Sequence, residues 1–161
     1  MKYLRKLKIQ LVKGNYKNPI KGQVSGPEQI YDVFKAIKDY AQETLLGVYL
    51  THDLEVILYD VLSVGGEGTT SLSVMDVFGR AFISRSRYIV LIHNHPKGDP
   101  HPSPADQEAM RKLMGQAKTL EVGFLDFIIV GDGSYWSMFD AAEGGDYELG
   151  AVDIEELRKE I

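Results

Sequence analysis

The sequence predicts an α/β fold, a mixed central sheet packed with helices, on three observations. Residues 88–93, YIVLIH, are an unbroken apolar run, the mark of a strand buried on both faces. Residues 104–120 place Ala109, Met110, Leu113, Met114 and Ala117 on one face at helical spacing. Further β-rich runs at 45–50, 55–62 and 124–140 alternate with helical patterns, so one sheet must carry helices on it.

The elements follow in chain order. Leu7, Ile9 and Leu11 alternate with Lys6, Lys8 and Gln10, the period of a half-buried strand, and lysines on its outer face suit a sheet edge. Residues 14–27 are rich in Gly, Pro and Asn and read as a loop. Ser25 with Glu28 has the spacing of a capping box and is expected to open a helix over 28–42, with Ile30, Val33, Phe34, Ile37 and Ala41 as its apolar stripe. Residues 45–50 and 55–62 are strands joined through Thr51-His52-Asp53 as a hairpin. A glycine-rich loop, 63–71, leads to a helix from Ser73 to about Arg85, with Val77, Phe78, Ala81 and Phe82 at helical spacing. Residues 124–140 read as two strands around Gly131-Asp132-Gly133. The stretch 141–151 is acidic and contains glycines, and 152–161 is expected to form a short terminal helix.

Composition narrows the function. With 161 residues the chain is one domain's worth and buries enough surface to need no disulfide. It has no cysteine, which excludes a thiolate nucleophile and any Cys-ligated metal. No apolar run reaches the roughly 18 residues of a membrane span, and lysines interrupt the amino-terminal stretch where a signal peptide would be uncharged. A cytoplasmic protein with no membrane partner is expected. The net charge of −5 hides an asymmetry. Residues 1–21 carry seven Lys or Arg and no Asp or Glu, while 140–161 carry eight acidic residues against Arg158 and Lys159. The basic arm could touch nucleic acid, or it could be a solvated edge strand facing acidic surface of its own chain or of a partner. The absence of a domain-wide basic patch favours the second.

The chemistry concentrates at 93–106. His93 and His95 lie two apart at the end of the predicted buried strand, so their side chains leave one face with Cβ atoms roughly 6–7 Å apart. Two imidazoles there, and Asp106 brought back by the following loop, make a three-ligand set for zinc with a fourth position open. Ser103 and Asp106 also have capping-box spacing with Pro104 at the first helical position, which is an adequate structural reason for both. His101 reads as an exposed loop residue, or as a substitute ligand, and His52 as a turn residue with no role.

His93-Asn94-His95-Pro96, Ser103 and Asp106 together spell H-x-H-x₇-S-x₂-D, and in this the chain resembles the JAMM (MPN+) metalloprotease superfamily. The HNHP core followed by Gly98-Asp99-Pro100, the strand-turn-strand IIVGDGSY and the SVG loop upstream resemble its bacterial RadC-like branch over about residues 25–140. The resemblance implies a single JAB/MPN-like domain of cytidine-deaminase-like architecture at 25–140, behind a basic strand and loop at 1–24 and ahead of an acidic tail at 141–161. It implies a zinc-dependent hydrolase of peptide or isopeptide bonds with His93, His95 and Asp106 on the metal. It also implies an upstream catalytic Glu. Glu43, at the start of the first core strand, matches best; Glu28 belongs to the helix cap, and Glu55 and Glu67 fit worse. Taken alone, Glu43 also reads as a solvated carboxylate at a helix end. In the implied mechanism Glu43 moves the proton and Ser103 hydrogen-bonds the oxyanion. Lys97 replaces a common Ser and Phe127 a usual His, so the surroundings of the metal depart from the pattern.

The implied partner is a protein or peptide substrate, such as a ubiquitin-like conjugate, with a homodimer as an open option. The alternatives are a nucleic-acid-binding protein associated with DNA repair and a metal-binding interaction module without turnover. RadC proteins often carry a helix-hairpin-helix segment ahead of this domain, and the 24 residues here hold at most a strand and a loop.

Overall fold

A computed structural model of the chain describes residues 6–65 and 72–144. Its elements are α1 (Pro27–Phe34), a 3₁₀ turn (Lys35–Asp39), β1 (Thr44–Leu50), β2 (Val56–Val64), α2 (Val74–Ser84), β3 (Tyr88–Asn94), α3 (Pro104–Leu120), β4 (Gly123–Val130), β5 (Tyr135–Ser137) and α4 (Met138–Glu143). The strands form one mixed sheet in the order β2-β1-β3-β4-β5. β3 and β4 are parallel, joined by α3 as a crossover, and the other pairs are antiparallel.

β3 is central and buried along its whole length. Its alternation divides the core. Ile89 and Leu91 pack with Phe78 of α2 and Met110 and Leu113 of α3 on one face. Tyr88, Val90 and Ile92 pack with Ile30, Phe34 and Ile37 on the other. His93 continues the Ile89–Leu91 series and so faces α3. The fold is the α/β sheet-with-helices arrangement that the sequence predicts. No helix among the described residues is long and apolar enough to cross a membrane.

Several elements differ from expectation. Residues 6–14 form no strand, and Leu7, Ile9, Leu11 and Val12 stand 79%, 52%, 61% and 82% exposed. Alternation provides the capacity for a strand, but pairing needs an edge to pair with. The first helix is not opened by a Ser25–Glu28 box. It starts at Pro27 behind an extended Gly26, and the Ser25 N–H instead donates to Gln29 Oε1 at 2.7 Å. It tightens to 3₁₀ after Phe34 and stops where Tyr40 turns extended, leaving Ala41 exposed outside it. In α2, Val77, Phe78 and Ala81 are buried but Phe82 is 56% exposed. The second strand of the 124–140 hairpin lasts three residues, because the Ser137 side chain accepts the Asp140 N–H and starts α4. α4 thus crosses residue 140, and its Ala142 joins the core. β2 runs through Val64, into the stretch expected as a glycine-rich loop over 63–71, because Ser63 and Val64 still pair with Leu45 and Thr44; the rest of that loop from 66, with Glu67, and the expected terminal helix lie outside the described residues.

Asp126 ties this end of the sheet together. It is buried and accepts from Ser137 Oγ at 2.7 Å, the Phe139 N–H at 3.0 Å and the Phe127 N–H at 2.7 Å. Burial pushes its carboxyl up to about 6 against those three donors, and the nearby Asp140 charge adds to the rise. The unfolded chain ionises it near 3.8, so its contribution to stability is full below that pH and is lost as pH rises through 6. The whole loss amounts to about 3 kcal/mol. Asp126→Asn removes this dependence. In urea unfolding, wild type should lose on the order of 1 kcal/mol relative to the variant between pH 5 and pH 8. A difference independent of pH would show that the carboxyl ionises normally.

Candidate metal centre

Three elements converge on the C-terminal end of β3. The strand delivers His93, buried among core side chains, and His95 follows where the chain leaves the sheet. β1 runs antiparallel beside β3 with Leu45 opposite His93, so Glu43, just ahead of β1, arrives next to the imidazole. α3 brings Asp106 in its first turn, behind Ser103 as N-cap.

Asn94 holds this junction. It is fully buried, its Oδ1 accepts the Thr44 N–H at 2.8 Å, and its Nδ2 donates to the carbonyls of Tyr40 at 3.3 Å and Gln42 at 3.4 Å. The middle residue of H-N-H therefore positions the segment that presents Glu43. Sequence reasoning gave Asn94 no role, although a polar residue at the end of an otherwise apolar buried strand is itself a signal. From the other side, the Gly65 N–H donates to the Glu43 carbonyl at 2.8 Å.

The loop after His95 is pinned as well. Gly98 takes φ +83, a left-handed conformation that favours glycine, and its carbonyl accepts the Asp132 N–H at 2.8 Å. A Cβ on Gly131 would stand 2.4 Å from that carbonyl oxygen, so the loop closes only against a glycine.

The donor atoms face one another. His93 Nε2 lies 3.6 Å from Asp106 Oδ1, and His95 Nε2 lies 3.3 Å from Asp106 Oδ2. One ligand atom from each of the three residues falls within 4.8 Å of the other two. Tetrahedral coordination with bonds of about 2.0–2.1 Å places ligand atoms roughly 3.3 Å apart, so the two His–Asp separations are already near that spacing. Both rings are oriented from behind. His93 Nδ1 is 3.0 Å from Glu43 Oε1, and His95 Nδ1 is 2.7 Å from the Asp99 carbonyl oxygen. Oxygens that accept at Nδ1 leave a neutral imidazole with its Nε2 lone pair pointing inward.

That arrangement is unsatisfied without a cation. His93 Nε2 is buried and has no hydrogen-bond partner. Two lone pairs then face a buried carboxylate, which a bound divalent ion resolves. A proton resolves it partly: the hydrogen bond to Asp106 raises the His95 pKa, against burial, which lowers it. For Asp106, burial pushes the carboxyl up. The His95 hydrogen bond, the neighbouring His93 and the Ser103 donors outweigh it and hold the group well below the usual carboxylate range. The residues present fit a metal.

Ser103 sits beside the ligands with its hydroxyl committed. Its Oγ donates to Asp106 Oδ2 at 2.5 Å, its N–H donates to the same oxygen at 2.8 Å, and its Oγ accepts the Asp106 N–H at 3.2 Å. Capping and ligand orientation are one structure here. His101 stands outside the donor group, 80% exposed, with Nδ1 2.6 Å from Asp99 Oδ1. His52 is exposed in the β1–β2 turn, and Glu55 is exposed at that same far end of the hairpin. Glu28 is exposed in α1. His95 lines a cleft of about 1030 Å³ whose walls also include Gln42, Glu43, Gly65, Lys97, His101 and Ser103.

The RadC-like JAB domain is the protein-family description that matches, over residues 24–145. The chain is 31% identical over 121 residues to a UPF0758 protein of Methanosarcina mazei, covering 74% of this chain and 53% of that protein. It is 32% identical over 117 residues to one of Alkaliphilus oremlandii, covering 72% and 50%. With one of Shouchella clausii it shares 34% over 116 residues, covering 71% and 50%. The chain thus spans about half the length of the curated relatives it matches.

Proposed function

Because the chain belongs to the RadC-like JAB domain family, we propose that it is a zinc hydrolase of the JAMM type that cleaves a peptide or isopeptide bond. The observation that carries this reading is the buried His93 Nε2, which has no hydrogen-bond partner and lies 3.6 Å from Asp106 Oδ1, in a His93–His95–Asp106 group that meets an open cleft at His95.

His93, His95 and Asp106 would hold the metal. When bound there it supplies Lewis acidity for a carbonyl oxygen and a water whose pKa falls toward about 7. The rest falls to the chain's own side chains. Glu43, on the cleft wall, takes a proton as the water oxygen bonds to the carbonyl carbon. It returns that proton to the departing amine nitrogen as the C–N bond breaks, leaving a carboxylic acid and an amine. The same carboxylate, accepting at His93 Nδ1, keeps that ring in its ligating tautomer. Ser103 holds Asp106 and lines the cleft, and in the proposed reaction its hydroxyl leaves Asp106 to donate to the oxyanion. Lys97 lines the cleft and favours an acidic group on the substrate.

The test is a panel of ubiquitin-like conjugates and unstructured peptides, incubated with the zinc-loaded chain with and without chelator, beside a salt series on DNA. Cleavage that chelator abolishes and zinc restores is the expected result. Absence of cleavage across the panel, with DNA binding that falls steeply with salt, would replace the hydrolase reading by the nucleic-acid one.

A further inference from the structure

We propose that the amino-terminal arm is a strand donated to a second copy of this chain, pairing there along the outer edge of β2. The arm has the form of a strand without its neighbour. Leu7, Ile9 and Leu11 alternate with Lys6, Lys8 and Gln10, and the three apolar side chains and Val12 are exposed. Four large apolar side chains within six residues are a surface that calls for cover.

The acceptor is the edge strand. Among the described residues β2 is hydrogen-bonded on one side only, to β1. Its sequence, VILYDVLSV, has neither lysine nor proline; two bulges against β1 and the Asp60 Oδ1 that accepts the Val61 N–H guard only part of it, and Val61 and Val64 are 43% and 57% exposed. Charge matches the two in sign: residues 1–21 hold seven Lys or Arg and no acid, whereas β2 holds Asp60 and no Lys or Arg, Asp60 being ion-paired with Arg80 of α2.

The reach of the arm favours another molecule's edge over its own. The Asn15 N–H donates to Tyr59 OH at 2.6 Å, and the Tyr16 ring packs edge-on against Tyr59 at 5.1 Å. The arm therefore leaves the body beside the middle of its own β2. Residues 6–13 need roughly 26 Å as a strand, while from Tyr59 to the far end of β2 there are about 17 Å. Its own edge is too short by a third, and a neighbour's offers the full nine residues. Exchange of two arms gives a closed two-fold dimer with identical contacts on both sides.

The test uses the full chain in sedimentation and hydrogen exchange, and is independent of metal and of turnover. The expected result is a species of twice 18.0 kDa with amides 7–11 protected, and with protection lost on dilution. Replacing both Ile9 and Leu11 by Lys should weaken the dimer about 100-fold, as loss of apolar anchors does, and Val61→Lys should weaken it from the acceptor side. All three positions are exposed, so circular dichroism and melting of the monomer should stay unchanged. Mixing arm variant with edge variant should restore part of the association, because one intact arm then meets one intact edge. The proposal is overturned by a chain that stays monomeric, whether amides 7–11 are unprotected or are protected on its own edge. A dimer indifferent to the arm substitutions overturns it too, as does a monomer whose arm binds DNA or anionic vesicles.

Discussion

His95→Ala should abolish stoichiometric zinc binding and leave a folded protein. The side chain is 18% exposed at the end of β3, so its removal opens no large cavity. What it removes is one of the three proposed ligands. Loss of a group that merely orients a ligand costs about 10–100-fold in metal affinity, and loss of a ligand should cost more than that. Competition against a chelator, with elemental analysis of the purified protein, measures it. Thermal unfolding gives an independent readout. A ligand present at 1,000 times its Kd stabilises the native state by about 4 kcal/mol, so zinc should raise the melting temperature of wild type and leave that of His95→Ala where it is. Asp106→Ala should lose zinc in the same way and also about 1 kcal/mol of metal-free stability, since Asp106 is the capping partner of Ser103 at the start of α3. His95→Ala that retains zinc as wild type does would remove His95 from the ligand set.

The parts of the molecule that could be read from sequence are those in which one segment determines its own environment. β3 is apolar on both faces and can only be central. α3 carries its stripe, its proline and its Ser103–Asp106 cap within 18 residues, and it forms over the expected span. The H-x-H spacing on a strand and the returning loop likewise brought His93, His95 and Asp106 together. Features that depend on another segment were not legible. The 6–12 alternation says strand without saying whose edge it meets. The Ser25–Glu28 spacing competes with Pro27, which fixes its own φ and starts the helix after Ser25. At Ser137 a cap outweighs the β-rich run that precedes it. The work of Asn94 lies in bonds to residues 50–54 positions away, and the contact of Glu43 with His93 Nδ1 spans 50 positions. Spacing on one strand carries neither.

In the proposed mechanism Glu43 has two jobs, which two substitutions separate. Glu43→Gln keeps an amide oxygen that can accept from His93 Nδ1–H at the same place, so the ring stays oriented and zinc affinity should fall by less than about 10-fold. The amide cannot take a proton, so turnover should fall by the roughly 10²–10⁴-fold that general acid–base catalysis contributes. Glu43→Ala removes both functions. His93 Nδ1 then loses the acceptor that fixes its tautomer, and zinc affinity should drop about 10–100-fold along with activity. The pair of affinities decides the assignment. If Gln and Ala bind zinc equally well, Glu43 does not orient His93. If Gln retains zinc and turns over as wild type does, the proton carrier is another group on the cleft wall. Retained zinc with lost turnover in Gln, and weakened zinc in Ala, is the pattern expected if one carboxylate oxygen orients the ring and the other carries the proton.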